Sequence, residues 1–178
     1  HEIYNALLQG HCQAIDLRTV KGLLCIMIRR RLTFSVRSYS SLLNLMCRKG
    51  MLHLACGLKT LMLVESKFSS SITYNILIFY LFQVGKNFLV DAVLEEMEET
   101  GLQLDQVGYN FLINGFSICK DLPRSVKYLN TMISKGLKPN NRSLRAVVKY
   151  LCRNGQTQDA VELSKQMELR GWVHSSTL

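Results

Sequence analysis

The sequence predicts an all-α fold, an α–α superhelix (solenoid) of five helix–turn–helix repeats. Three observations predict it. Met recurs at 27, 62, 97, 132 and 167, so five of the seven Met obey one 35-residue period. Tyr4, Tyr39, Tyr74 and Tyr109 keep the same spacing, with Leu144 in the fifth place. Gly50, Gly85 and Gly155 mark one kind of turn on this period, and Gly101, Gly136 and Gly171 mark another. A fixed period of this size is the signature of stacked repeats. It divides the chain into units 1–35, 36–70, 71–105, 106–140 and 141–175, with 176–178 opening a further unit.

Each unit reads as two helices. In the third, Tyr74, Leu77, Ile78 and Leu81 fall at i, i+3, i+4 and i+7, the apolar stripe of an amphipathic helix. Gly85 then provides the left-handed stop that helix C-termini favour. The second segment, from about Phe88 to Glu99, sets Val90, Val93, Leu94 and Met97 on one face, and Gly101 closes it. In the fourth unit Asp121 and Pro123 form an N-cap and an early first-turn Pro for the second helix. Helix pairs this short cannot bury their apolar faces alone, so the units must stack, first helices on one surface and second helices on the other. The Met ladder is then a packing column, because unbranched Met fills irregular gaps. Cys12, Cys47 and Cys152 share one repeat slot with Phe82 and Ser117, which predicts core hydrophobes. Neither end carries an evident polar cap, so the chain is expected to be a piece of a longer array, any targeting segment lying upstream.

Composition excludes several classes. The 178 residues are 48% hydrophobic and 20% charged, with a formal net charge of +9 and two Pro. No apolar run approaches the roughly 18 residues of a membrane span. The six Cys include no CxxC, and His53 with Cys56 lacks a second ligand pair, so neither a redox site nor zinc is expected. No phosphate-binding Gly-rich loop, zinc-deaminase motif or acidic metal constellation is present, and the expectation is a non-enzyme without a cofactor. The charge is uneven: residues 1–70 carry ten Lys and Arg against three Asp and Glu, 71–140 six against seven, and 141–178 six against three.

The residues that carry a family resemblance lie mainly in units three and four. Ile72-Thr73-Tyr74-Asn75-Ile76-Leu77-Ile78, then Gly85, Glu95-Glu96-Met97-Glu98-Glu99 and Gly101, resemble the pentatricopeptide repeat in its 35-residue form. Val107-Gly108-Tyr109-Asn110-Phe111-Leu112-Ile113-Asn114-Gly115-Phe116, with Met132, Gly136 and Lys138-Pro139-Asn140, resembles it as well. The 34-residue tetratricopeptide repeat competes, but the markers hold register at 35 and its Trp–Leu–Gly signature is missing. The resemblance covers essentially the whole chain and is more degenerate in units one and two. It implies single-stranded RNA binding in organellar RNA metabolism, in the mitochondrion or alternatively the chloroplast, at about one base per repeat.

The resemblance also implies which residues read the bases: the one after the helix-start Tyr and the last of the unit, with the residue two before that Tyr and its counterpart in the next unit as clamp. In unit three these are Asn75 and Asp105, clamped by Ile72 and Val107, a pairing that implies uracil. In unit four they are Asn110 and Asn140, implying cytosine or uracil, with Val107 and Arg142 as clamp. Unit one offers Asn5 and Ser35, leaning to cytosine, although Glu2 departs from the aliphatic pattern. Unit two offers Ser40 and Ser70 beside Arg37, and unit five, with Arg145 and Ser175, departs outright. Two other readings stand beside this one. The asparagines can be helix-entry residues that bond local backbone, and the solenoid can be a scaffold for protein partners, which the irregular units one, two and five favour.

Overall fold

The computed structural model describes residues 1–64 and 71–172, with side chains described for 1–59 and 71–172. Ser70, Ser175 and 176–178 lie outside the described residues, as does the Met62 side chain. The described elements are all helical. They run as five pairs: α1 (Glu2–Gln13) and α2 (Leu17–Arg29), α3 (Val36–Arg48) and α4 (Leu52–Val64), α5 (Ser71–Gln83) and α6 (Val90–Glu99), α7 (Gln106–Ile118) and α8 (Leu122–Ser134), α9 (Asn141–Arg153) and α10 (Thr157–Leu169). A 3₁₀ turn at Asn87–Leu89 leads into α6, which therefore begins two residues later than the apolar pattern suggested.

The chain folds as two compact units, the first comprising His1–Val84 with Asp91–Gln103, the second Gly85–Val90 with Leu104 onward. In the first, α1 packs on α2 and on α3, and α3 packs on α4 and α5. In the second, α7 packs on α8 and α9, and α9 on α10. Within each unit, α1, α3 and α7 thus pack on the next first helix as well as on their own partner. The repeating side chains are what fill these interfaces. Met27, Met97, Met132 and Met167 are at most 1% exposed, and Tyr39, Tyr74, Tyr109 and Leu144 are buried. Leu8, Leu43, Ile78 and Ile113 have no exposed surface at all.

Caps and turns follow local chemistry. Asp121 accepts a hydrogen bond from Arg124 N–H, and Pro123 stands in the first turn of α8. Gly85 and Gly155 adopt φ of +71° and +76° in the slot after a first helix. Ile15 and Lys120 occupy that slot in the first and fourth pairs, and the chain still forces them to φ of 62° and 61°. Local backbone bonds close these turns, Asp16 N–H to the His11 carbonyl and Asp121 N–H to the Phe116 carbonyl, and the non-glycine residues bear the steric cost of the left-handed conformation.

The cysteine slot behaves differently from the sequence expectation in one place. Cys12 and Cys47 are buried, but Cys152 is exposed. Cys47 clusters with Leu77 and Tyr80 of α5, the next first helix, and among the described residues no first helix follows α9 to cover Cys152 in that way. All six cysteines are free thiols. The acidic run on α6 also divides: Glu95, Glu98 and Glu99 are exposed, whereas Glu96 turns inward. It pairs with Lys59 of α4, a lysine only 8% exposed that also stands over the Tyr74 ring.

Candidate nucleic-acid interface

The start of each first helix carries the candidate site. Glu2, Arg37, Ile72, Val107 and Arg142, which share one repeat position, are all exposed. Ile72 and Val107 are each 51% exposed, while Tyr74 and Tyr109 two residues on are sealed. Three residues further on, Asn5, Asn75 and Asn110 sit one helical turn deeper, 8%, 4% and 7% exposed. A side chain at the mouth and an amide at the floor therefore recur at i and i+3 on one helix face.

The last residue of a unit is the N-cap of the following first helix. Ser35 Oγ accepts from Ser38 N–H at 3.1 Å, Asp105 Oδ1 from Gly108 N–H at 2.8 Å, and Asn140 Oδ1 from Ser143 N–H at 2.7 Å. These are ordinary capping contacts of Ser, Asp and Asn. The sequence carries that signal, a polar residue just ahead of an apolar run.

Within each compact unit the amide and the cap are tied together. Asn5 Oδ1 accepts from Ser35 N–H at 3.0 Å and from the Ser38 hydroxyl at 2.7 Å. Its Nδ2 donates to the carbonyls of His1 and Thr33, each at 3.1 Å. Asn110 repeats the pattern in the second unit. Its Oδ1 accepts from Asn140 N–H at 3.0 Å and from the Ser143 hydroxyl at 2.8 Å, and its Nδ2 donates to the Gln106 carbonyl at 2.7 Å. One turn on, Gln9 Nε2 donates to Ser38 Oγ at 3.3 Å and Asn114 Nδ2 to Ser143 Oγ at 2.9 Å. The structure thus brings Asn5 to Ser35 and Asn110 to Asn140. Asn75 and Asp105 belong to different compact units: Asn75 is buried on α5, and Asp105 is a half-buried cap of α7.

Sequence reasoning missed Ser38, Ser143, Gln9 and Asn114. Their signal is a spacing: an amide at i, a second at i+4, and a Ser at i+33, which recurs from Asn5 and from Asn110. Where the pattern breaks, the bonds break with it. Ser40 takes the place of Asn in the second pair, too short to reach a partner. Its hydroxyl and that of Thr73, the counterpart of Ser38, are both buried without a hydrogen bond.

Charge around these positions is mostly cationic. Arg142, Arg145, Lys149 and Arg153 follow one another along α9 at i, i+3, i+7 and i+11, and all four are exposed. Arg30, from the basic run at the end of α2, lies over the Tyr4 ring and donates to its hydroxyl, which accounts for it as a packing residue. Among the described residues no group of three His, Cys, Asp or Glu side chains could hold a metal ion, and no helix is long and apolar enough to cross a membrane.

Paired helices that repeat every 35 residues, two of the pairs joined to the next through an amide–cap seam, define an α-helical repeat protein. The PPR repeat family model matches residues 2–32, 37–65, 107–137 and 143–172, and a second model of that family matches 69–118. The chain belongs to the pentatricopeptide repeat family. It is 41% identical over its whole length to a mitochondrial pentatricopeptide repeat-containing protein of Arabidopsis thaliana, of which it spans 15%. The pentatricopeptide repeat protein PPR10 from maize superimposes with a TM-score of 0.63 at 26% identity, over 97% of this chain and 25% of that one. The same protein in complex with an 18-nucleotide psaJ RNA element gives a TM-score of 0.74 at 21% identity, over 96% of this chain and 24% of that one. The fold class is accordingly the all-α solenoid.

Proposed function

We propose that the chain is a non-catalytic binding module for single-stranded RNA, built of the repeats 1–35, 36–70, 71–105, 106–140 and 141–175 and taking about one base per repeat, with the best niches in the third and fourth. The observation that carries this reading is the recurring niche: an exposed residue at the mouth, a buried amide one turn deeper, and the amide bound to the cap of the next first helix. Unpaired bases are recognised by packing on their faces and by hydrogen bonds to their edges. Ile72 and Val107 suit the first task; Asn75 with Asp105, and Asn110 with Asn140, suit the second. Arg142 offers a guanidinium plane in place of an aliphatic wall. The cationic row of α9 suits phosphates, which position a strand without reading it. Asn5 with Ser35 forms a weaker niche, since every hydrogen-bonding valence of the Asn5 amide is already taken within the protein.

Pyrimidines are the preferred bases in the third and fourth units, and uracil in the third. The mitochondrion is the favoured compartment, since the relative matched along the entire chain is a mitochondrial protein. Base stacking is worth ~1–3 kcal/mol per base, so two good niches bind weakly and affinity falls steeply with salt. The test is Asn75→Thr with Asp105 retained. RNA enriched from a random pool at low salt should move from uracil towards guanine at one nucleotide. An unchanged consensus, or no retained RNA from the parent chain, overturns the assignment.

A further inference from the structure

We propose that Ser143, which itself touches no base, decides which hydrogen-bonding edge Asn110 presents, and is therefore a positioning residue for base choice in the fourth unit. The proposal rests on the RNA-reading assignment above and deepens it.

An Asn side chain has two acceptor positions on Oδ1 and two N–H donors on Nδ2. At Asn110 the orientation is fixed by two partners with one polarity each. The Asn140 backbone N–H can only donate, so the atom facing it at 3.0 Å is oxygen. The Gln106 carbonyl can only accept, so the atom facing it at 2.7 Å is nitrogen. One acceptor position and one N–H remain.

Ser143 closes the acceptor position. Its hydroxyl has a single proton, and Asn114 Nδ2–H already donates to its oxygen at 2.9 Å. The proton therefore points to Asn110 Oδ1, 2.8 Å away. Ser143 has no exposed surface, so water does not compete for that proton. The Asn110 oxygen is saturated by protein donors, while its second N–H has no protein acceptor among the described residues. The amide can then offer a donor and nothing else. A base edge that presents a carbonyl oxygen or an unprotonated ring nitrogen is accepted; an edge that presents N–H or an amino group meets an oxygen with no valence to spare, and leaving a buried donor unpaired is costly.

The first unit provides the contrast inside the same chain. Ser38 does for Asn5 what Ser143 does for Asn110, at 2.7 Å, but there the second N–H is taken by the Thr33 carbonyl at 3.1 Å. The hydroxyl is common to both seams and the free N–H is not. The hydroxyl position therefore fixes amide polarity, and the neighbouring backbone fixes whether any edge is left to read with.

Ser143→Ala removes the proton, frees one acceptor position on Asn110, and lets the amide accept as well as donate. Discrimination between the four bases at that nucleotide should fall at least threefold, while Ser143→Thr, which keeps the hydroxyl, should restore it. Ser143→Cys, nearly isosteric and a weak donor, should lose discrimination like Ala if the Ala variant is too unstable to measure. The experiment titrates the 178-residue chain and its variants with four single-stranded RNAs that differ at one nucleotide of the sequence enriched by the parent chain. The Asn110 side-chain amide resonances are followed by NMR without RNA. If the parent chain prefers no base, the reading assignment fails and takes this proposal with it. If the parent chain discriminates and the Ala and Cys variants discriminate equally well, only the role of Ser143 is overturned. Loss with Ala and Cys, recovery with Thr, and a shifted Asn110 amide in RNA-free protein support it.

Discussion

Replacing Asn5 by Ala tests the polar seam without any RNA. The substitution removes one double acceptor and two donors from the α1–α3 interface. Not every former partner is left stranded. The His1 carbonyl keeps the Asn5 backbone N–H at 3.1 Å, and the Ser38 hydroxyl keeps Ser35 Oγ at 3.0 Å. Thr33 is exposed, so its carbonyl turns to water. The half-buried Ser35 N–H is the group that loses its only acceptor. Orphaning one such donor costs ~1–3 kcal/mol, and the bonds that are merely exchanged cost less, so the whole change should cost about 2–4 kcal/mol. A chain of this size loses ~2–4 °C in Tm per kcal/mol, which places the expected drop at roughly 4–16 °C. Circular dichroism melts measure the drop, and hydrogen exchange should show faster exchange at Ser35 and the first turn of α3. Ile3→Ala, on the same helix but 75% exposed, is the control and should shift stability by no more than ~0.5 kcal/mol. A Tm change below about 1 °C, or an unaltered Ser35 amide, would refute the claim that the Asn5 amide fastens the two helix pairs.

Three further outcomes are expected. Glu96→Gln strands the 8% exposed Lys59 and should destabilise by about 2–3 kcal/mol, at the lower edge for buried pairs because Glu96 is 36% exposed, whereas Lys59→Met should be near neutral; equal losses in urea unfolding would contradict this. Burial pushes the Cys12 thiol up to about 11, and burial with nearby Cys56 pushes Cys47 to about 12, from an ordinary 9.0. The folded protein then holds these protons more tightly than the unfolded chain, so their stabilisation is complete below pH 9 and lost as pH rises through 11 and 12; melts across this range measure it, and Ellman's reagent at pH 8 should react rapidly with the four exposed thiols only. Lys120→Gly relieves a non-glycine residue at φ 61° and should stabilise by about 0.5–1 kcal/mol, the left-handed cost of ~1–2 kcal/mol less the extra freedom of Gly in the unfolded chain; an unchanged or lower urea midpoint would count against it.

The sequence disclosed the fold because periodicity reports burial directly. Met27, Met97, Met132 and Met167 are sealed for the reason that made them visible: an identical environment recurs every 35 residues, so the same side chain recurs. The exposed mouth of the niche was also visible, through Ile72 and Val107 falling off the buried stripe. The seam was not. Ser38 and Ser143 look like ordinary surface-prone residues, and only their distance in space from Asn5 and Asn110, 33 residues away in sequence, gives them a role. The expected alternative for the asparagines, local backbone bonding, is met in part: one bond is local, to the carbonyl four residues back, while the others cross to the next helix. Cys152 departs from the expected burial because a repeat slot is sealed only where a neighbouring helix arrives to cover it.

Asn110 is a fastener by observation and a letter by proposal, and that double duty constrains how such arrays can be rewritten. A designer who exchanges the amide to address another nucleotide also unhooks one hairpin from the next. Repeated along many hairpins, the edits would soften the scaffold cumulatively, so a recoded protein needs compensating stiffness elsewhere in each joint.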